Sequence, residues 1–169
     1  MISFKKIILP CAEVFPLAGE LMGKGMRVRF TVSGSSMWPL IRHNTDSVLL
    51  ASQYRPVRSG DIVLIRLGDM SSRYILHRVM KVKENTCITA GDNCVNVDGV
   101  FPLDDIVGFV EKVYRGTKVI TCDSPVWRVF FGIWRVMFPF RPYLLRGVHL
   151  VGKLYKTLRS FFVLCELLP

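Results

Sequence analysis

The chain has 169 residues, 50% of them hydrophobic, and its 23 Lys and Arg against 13 Asp and Glu give a formal charge of +10. That length suits one domain with an appendage and a proper core, which excludes a small scaffold in need of staples. Five cysteines (Cys11, Cys87, Cys94, Cys122 and Cys165) at irregular spacing, with no Cys-x-x-Cys pair and no clustered His, argue against a disulfide framework and against zinc, and suit a reducing compartment.

In chain order, Met1 to Leu9 places Lys5 and Lys6 before a short apolar stretch broken by Pro10 and Glu13. It is too short for a signal-peptide core and lacks a small-residue cleavage site. No window reaches about 18 uncharged apolar residues, so no spanning helix is expected. Glu13 to Lys24 has apolar Val14, Ala18, Leu21 and Met22 at helical spacing, with Gly23 and Gly25 as exit signals. Strand-like runs rich in β-branched residues follow: Arg27 to Val32, Ser47 to Ser52, Asp61 to Leu67, Arg73 to Lys83, Thr86 to Ala90, Ile106 to Tyr114 and Lys118 to Cys122. Turn residues such as Gly60, Gly68, Asn85, Gly99 and Gly116 punctuate them, as in a coiled antiparallel core.

Asp123-Ser124-Pro125 then reads as a helix start, with Ser124 as N-cap and Pro125 in the first turn. Val126 to Phe138 is apolar almost all round, and Tyr143 to Leu164 sets Arg146, His149, Lys153, Lys156 and Arg159 opposite Leu150, Leu154, Leu158 and Phe161. From Ser124 onward seven basic residues face one acid, Glu166. A basic, aromatic-rich segment with no nucleic-acid fold signature points to an anionic membrane surface, engaged peripherally by residues 126–164 with Trp127 and Trp134 among its anchors, and not to nucleic acid. The expected fold is mainly β, a coiled antiparallel sheet or barrel with a short N-terminal helix and a C-terminal helical appendage. The expected units are residues 1–123, a β domain, and 124–169, a basic amphipathic tail that leaves the core alone. Such a protein would be membrane-associated from one side and otherwise cytoplasmic.

Three stretches carry chemistry. Val32-Ser33-Gly34-Ser35-Ser36-Met37-Trp38-Pro39 stops a strand at small residues and hydroxyls, which pushes a serine off a sheet edge, although turns of this composition are common. Ser33, Ser35 and Ser36 are all candidates. Tyr74-Ile75-Leu76-His77-Arg78-Val79 puts His77 inside an apolar strand, where a lone histidine is usually a satisfied core residue. Gly91-Asp92-Asn93-Cys94-Val95-Asn96-Val97-Asp98 supplies two acids just after it. A serine hydroxyl needs a base, and the base needs an orienting acid; such triads are defined by geometry and role, not by chain order. Lys81 shares strand parity with His77 but lies about 13 Å further along at ~3.3 Å per residue, so it cannot stand in for it. His43, in a polar turn, and His149, on the tail, read as bland.

Ser36-Met37-x-Pro39, Gly60-Asp61-Ile62-Val63, His77-Arg78-Val79 and Gly91-Asp92-Asn93 followed by Asp98, in that order across residues 27–114, resemble the boxes of type I signal peptidases. The His-Arg-Val box resembles the endoplasmic-reticulum and archaeal type, which uses histidine, and Val32-Ser33-Gly34-x-Ser36-Met37 also resembles the self-cleaving SOS repressors. The resemblance implies Ser36 as nucleophile, since it places that residue immediately before Met, with His77 as base and Asp98 as third member; Asp92 is the rival acid, otherwise holding the loop against Arg78. Where some relatives carry a hydroxyl for the oxyanion, this chain has Gly34, which leaves backbone N-H groups, chiefly that of Ser36. Cys94 and Val97 also depart from the pattern, and Met37, Trp38 and Tyr74 are expected to line a groove. The implied activity is a serine endopeptidase cutting extended peptides or precursor proteins beside small residues, typically Ala, with no metal or other cofactor. An imidazole base sets the acid limb of its rate profile near about pH 6 to 7.5. Two other readings stand beside it: self-processing, with Ala18-Gly19 as the bond, and an inactive membrane-surface binding protein of the same fold.

Overall fold

The computed structural model describes residues 11–52, 55–68, 73–143 and 146–147. Helix α1 (Cys11–Gly23) precedes strands β1 (Val28–Thr31), β2 (Ser47–Ala51), β3 (Ile62–Arg66), β4 (Tyr74–Lys83), β5 (Thr86–Ala90), β6 (Gly99–Pro102), β7 (Ile106–Arg115) and β8 (Lys118–Thr121), and helix α2 (Pro125–Val136) follows. The amphipathic stretch expected from Tyr143 to Leu164 lies outside the described residues apart from Tyr143, Arg146 and Gly147, and Met1 to Leu9 lies outside them entirely.

All strand pairings are antiparallel, in the order β1-β2-β7-β3-β4-β5-β6, with β8 beside β7. Strand β7 is the hub. Phe109 pairs with Ala51 on one edge and Val63 on the other, while Val113 pairs with Val48 and with Ile120. Hence β2 takes one edge, and β3 and β8 share the opposite one end to end.

Strand β3 explains why the sheet carries core on both faces. Its run Ile62-Val63-Leu64-Ile65 is buried throughout. Successive side chains point to opposite faces. Ile62 and Leu64 join Phe15, Ala18 and Met22 of α1 in one core, and Val63 and Ile65 join Val79, Ile106 and Phe109 in the second. The helix sits close because β7 has a glycine beneath it: a Cβ on Gly108 would stand 2.7 Å from the Ala51 carbonyl oxygen and 3.0 Å from Met22 Sδ.

The expectation of a mainly β barrel is overturned. The fold mixes α and β, an antiparallel sheet with a helix at each end of the chain, and the sheet is not closed: its path ends at β1 and β6, which do not pair with each other. Closure demands tilted strands of matched length and stagger. Here both end strands have four residues, alternating half-buried with exposed. Helix α1 packs on one face of the sheet, with Phe15, Ala18 and Met22 against Ile62 and Leu64. Strand β6 escaped the sequence reading because glycine opens it and proline closes it.

Helix α2 begins where Ser124-Pro125 places it, although the Ser124 side chain makes no capping hydrogen bond. Arg128 in its first turn donates to Asp123, in the turn before the helix, at 3.4 Å, and Phe131 is buried under the Arg78 guanidinium of β4 at 4.1 Å from the ring centroid. Phe131 and Arg141 are thus buried against the β domain, where a tail that leaves the core alone was expected. No helix among the described residues is long and apolar enough to cross a membrane. Cys87, Cys94 and Cys122 are free thiols; burial pushes Cys122 up to about 12, which makes it an inert core residue.

Candidate active site

The turn after β1 presents Ser36. Val32 is the last residue tied to the strand ladder, through its N-H to the Asp46 carbonyl at 3.0 Å, and Gly34 then takes φ +112°, which favours glycine. Below the turn, Asp46 is buried and accepts from Arg115 Nη2 at 2.8 Å and the Arg42 N-H at 3.0 Å. Met37 drops into the core at 2% exposure, and its carbonyl accepts from the Ile41 N-H. That anchor leaves Ser36 half-buried at the surface, with its own N-H donating to no acceptor among the described residues. The Gly34 N-H, by contrast, is already committed to His43 Nδ1 at 2.8 Å, so of these two backbone donors the Ser36 N-H is the one open to an oxyanion.

His77 stands on β4 opposite Val63 and is buried. Its Nδ1 donates to Asp98 Oδ2 at 2.6 Å, and the same oxygen accepts from Thr89 Oγ1 at 2.9 Å. Because a carboxylate only accepts, the ring proton sits on Nδ1 and the lone pair on Nε2. The Asp98 N-H, bonded to the Thr89 carbonyl at 2.8 Å, brings the acid to the end of β5.

Ser36 and His77 meet over Gly91. A Cβ there would stand 2.7 Å from the Ser36 carbonyl oxygen and 3.1 Å from His77 Nε2, so the site needs glycine at this position. The Asn93 N-H donates to the Ser36 carbonyl at 2.7 Å, which staples the two loops together. Ser36 Oγ is not hydrogen-bonded to Nε2 in this structure. Such contacts are often long in a free enzyme and tighten around substrate.

Asp92 makes a different set of bonds. It is fully buried and accepts from Arg78 Nε at 2.8 Å and Nη2 at 2.7 Å. Trp134 Nε1 on α2 adds a bond at 3.1 Å, and the fully buried Arg141 lies 3.8 Å away. Two guanidiniums thus share one carboxylate. Burial pulls the Arg141 guanidinium below its ordinary value, with Asp92 opposing. Burial raises Cys94 near the same loop, and Asp98 adds to that shift.

The expected site residues therefore divide. Ser36, His77 and Asp98 come to one place, with Asp92 and Arg78 as a buried brace beneath the loop. Met37 is core and cannot line an open groove; Tyr74 also turns away, its ring 4.9 Å from that of Phe15. Trp38 stays half-buried beside Ser36. Sequence reasoning missed Thr89, Trp134 and Arg141. Arg141 had a signal: between Pro139 and Pro142, it is the first charge after five uncharged residues, Val136 to Phe140, and so a candidate for a buried partner.

Among the described residues no three His, Cys, Asp or Glu side chains gather as metal ligands. No known family model matches the chain, and neither a curated protein nor a solved structure matches it.

Proposed function

We propose that this protein is a serine endopeptidase of the kind that type I signal peptidases represent, with Ser36 as nucleophile, His77 as general base and Asp98 as its orienting acid. The observation that carries the reading is the His77 imidazole, fixed by Asp98 at Nδ1 while Nε2 faces the Ser36 turn across Gly91. In the reaction Ser36 Oγ attacks the scissile carbonyl, Nε2 takes its proton, and the Ser36 N-H receives the developing oxyanion. His77 then returns the proton to the leaving amine, and Asp98 stabilises the imidazolium between the two transfers; water, deprotonated by Nε2 in the same way, cleaves the acyl ester left on Ser36 and restores its hydroxyl. Substrates are extended peptides with Ala or another small residue beside the cut, as the box pattern implies.

Purified protein is expected to cleave peptides carrying Ala-x-Ala, and Ser36→Ala to abolish that cleavage. Full activity in the variant would remove Ser36 from the mechanism. Loss of cleavage in both proteins would leave the inactive binding protein as the reading to pursue. Self-processing at Ala18-Gly19 is disfavoured by position, because Ala18 is 2% exposed within α1 and a peptidase takes its scissile bond extended.

Helix α2 supports a membrane surface as the place of work. Its Arg128 and Arg135 turn inward, Arg135 donating to the Met80 carbonyl at 3.2 Å. Val126, Val129, Ile133 and Val136, spaced along one stripe, face outward, with Val126 76% and Val136 71% exposed. An outward apolar stripe, followed in sequence by Arg146, Lys153, Lys156 and Arg159, fits an anionic bilayer better than water. Each basic residue near such a surface contributes on the order of 1 kcal/mol, screened over a Debye length of about 10 Å at 0.1 M salt. Binding to anionic vesicles is therefore expected to weaken as salt rises. Ile133→Asp should cut it by roughly tenfold or more, since it removes one apolar side chain worth about 1.5–3 kcal/mol of burial. Intact protein that ignores anionic vesicles at low salt would sink the membrane reading and leave the peptidase reading untouched.

A further inference from the structure

We infer that Arg141 is a positioning residue for hydrolysis: from beyond the end of α2 it holds the Gly91 carbonyl, and through Gly91 it sets the gap between Ser36 and His77. The inference rests on the peptidase reading of that site. Arg141 Nη1 donates to the Gly91 carbonyl at 3.2 Å and Nη2 to the Trp134 carbonyl at 3.3 Å, so one planar guanidinium links the loop to the helix. The group lies between the Trp134 and Phe138 rings, with centroids 5.1 and 4.8 Å away, and is fully buried. A Cβ on Gly91 would meet the Ser36 carbonyl oxygen and His77 Nε2, and the Asn93 N-H two residues on bonds that same carbonyl, so this loop abuts nucleophile and base together. A shift of the Gly91 carbonyl moves the loop that abuts both the Ser36 turn and the His77 ring.

The arrangement is a poor one if stability is its whole purpose. Arg141 Nε is buried with no hydrogen-bond partner, and two guanidiniums, Arg78 and Arg141, converge on the single carboxylate of Asp92. An apolar side chain in a buried charge's place is often as stable or more so. What an apolar residue cannot do is hold the Gly91 carbonyl and the helix at fixed separation. Arg78 already grips Asp92 from β4, beside His77; Arg141 grips the same loop from the opposite side. The loop is thereby pinned from the base's strand and from α2 together.

The test uses the full chain with Arg141→Met, which keeps the stem and loses the fork, and Arg141→Lys, which keeps the charge and only one point of contact. kcat and KM on an Ala-x-Ala peptide are measured per folded molecule, with the folded fraction taken from near-ultraviolet circular dichroism. A misplacement of about 1 Å between reacting groups costs on the order of 100-fold. Arg141→Met is expected to lose about that much in kcat with KM nearly unchanged, and Arg141→Lys to recover part of it. If Arg141→Met does not fold, Arg141→Lys alone decides, through a kcat loss without a KM change. Parent-level kcat per folded molecule in either folded variant, or a loss confined to KM, overturns the inference while Ser36-dependent cleavage by the parent stands. A parent without Ser36-dependent cleavage is a distinct result: it removes the peptidase reading itself, and this inference with it.

Discussion

Asp98→Asn is expected to lower kcat by about 10⁴-fold, with KM and thermal stability nearly unchanged. Asp98 Oδ2 holds the His77 Nδ1 proton at 2.6 Å, which fixes the tautomer. An asparagine can turn its NH₂ group toward Nδ1; the ring proton then moves to Nε2, where it points at the hydroxyl it should deprotonate. The base is lost without any side chain leaving the site. The fold should tolerate the change, because the Asp98 side chain is 19% exposed and the Thr89 hydroxyl can accept the second hydrogen of the NH₂ group that takes the place of Oδ2. Steady-state kinetics on the same Ala-x-Ala peptide, with a melting curve for each protein, checks both halves. A loss of less than about tenfold would show that Asp98 does not orient the base, since wrong-tautomer effects in triads are far larger.

Asp92→Ala should do the reverse and strike the fold. Asp92 is the one carboxylate between the fully buried guanidiniums of Arg78 and Arg141, and it also takes the Trp134 indole proton. Removing one partner of a buried pair costs about 3–5 kcal/mol, because the other charge stays behind unpaired. Two cations stay behind here. Against a typical total of about 5–15 kcal/mol, that is a large share of the stability. At about 2–4 °C per kcal/mol for a chain of this size, the melting temperature should fall by about 6–20 °C. Urea unfolding of the two proteins measures it, and a difference below about 1 kcal/mol would mean that the network is not structural. A variant replacing Asp92, Arg78 and Arg141 together by apolar residues should recover stability without recovering cleavage.

The strands were legible because their signal is local. Val, Ile and Leu in short runs between Gly60, Gly68, Asn85 and Gly116 marked seven of the eight, and α1 followed from Val14, Ala18 and Met22. The pairing of His77 with Asp98 was legible only through the order of short motifs, since nothing in their local composition ties two residues 21 positions apart. Closure was not legible. Whether β1 and β6 meet depends on what covers the sheet, and the sequence does not say that α1 packs on one face of it. Met37 illustrates the same limit: a motif names the residue after the serine, but only packing decides that it turns down into the core. Net charge was a poor guide to single residues. Arg128, Arg135 and Arg141 count among the seven basic residues after Ser124, yet each is spent on an acid or a carbonyl of the domain, and the apolar side of α2 faces out.

The hub position of β7 also sets a calendar. The chain is made from its N-terminus, and β2 and β3 must wait, unpaired on their inner edges, until residues 106–115 emerge. At about 5–20 residues per second, that delay is on the order of ten seconds after the Ser36 turn has left the ribosome. The buttress of that turn, Asp46 on Arg115, comes at the very end of the same strand, and the Arg141 grip on Gly91 later still. His77 and Asp98 can pair as soon as β4 and β5 are made, but the Ser36 turn is synthesised well before its buttress. Under the proposed peptidase reading, neither the unfinished chain nor its neighbours on the polysome meet an assembled site before residues 106–115 and 141 are in place.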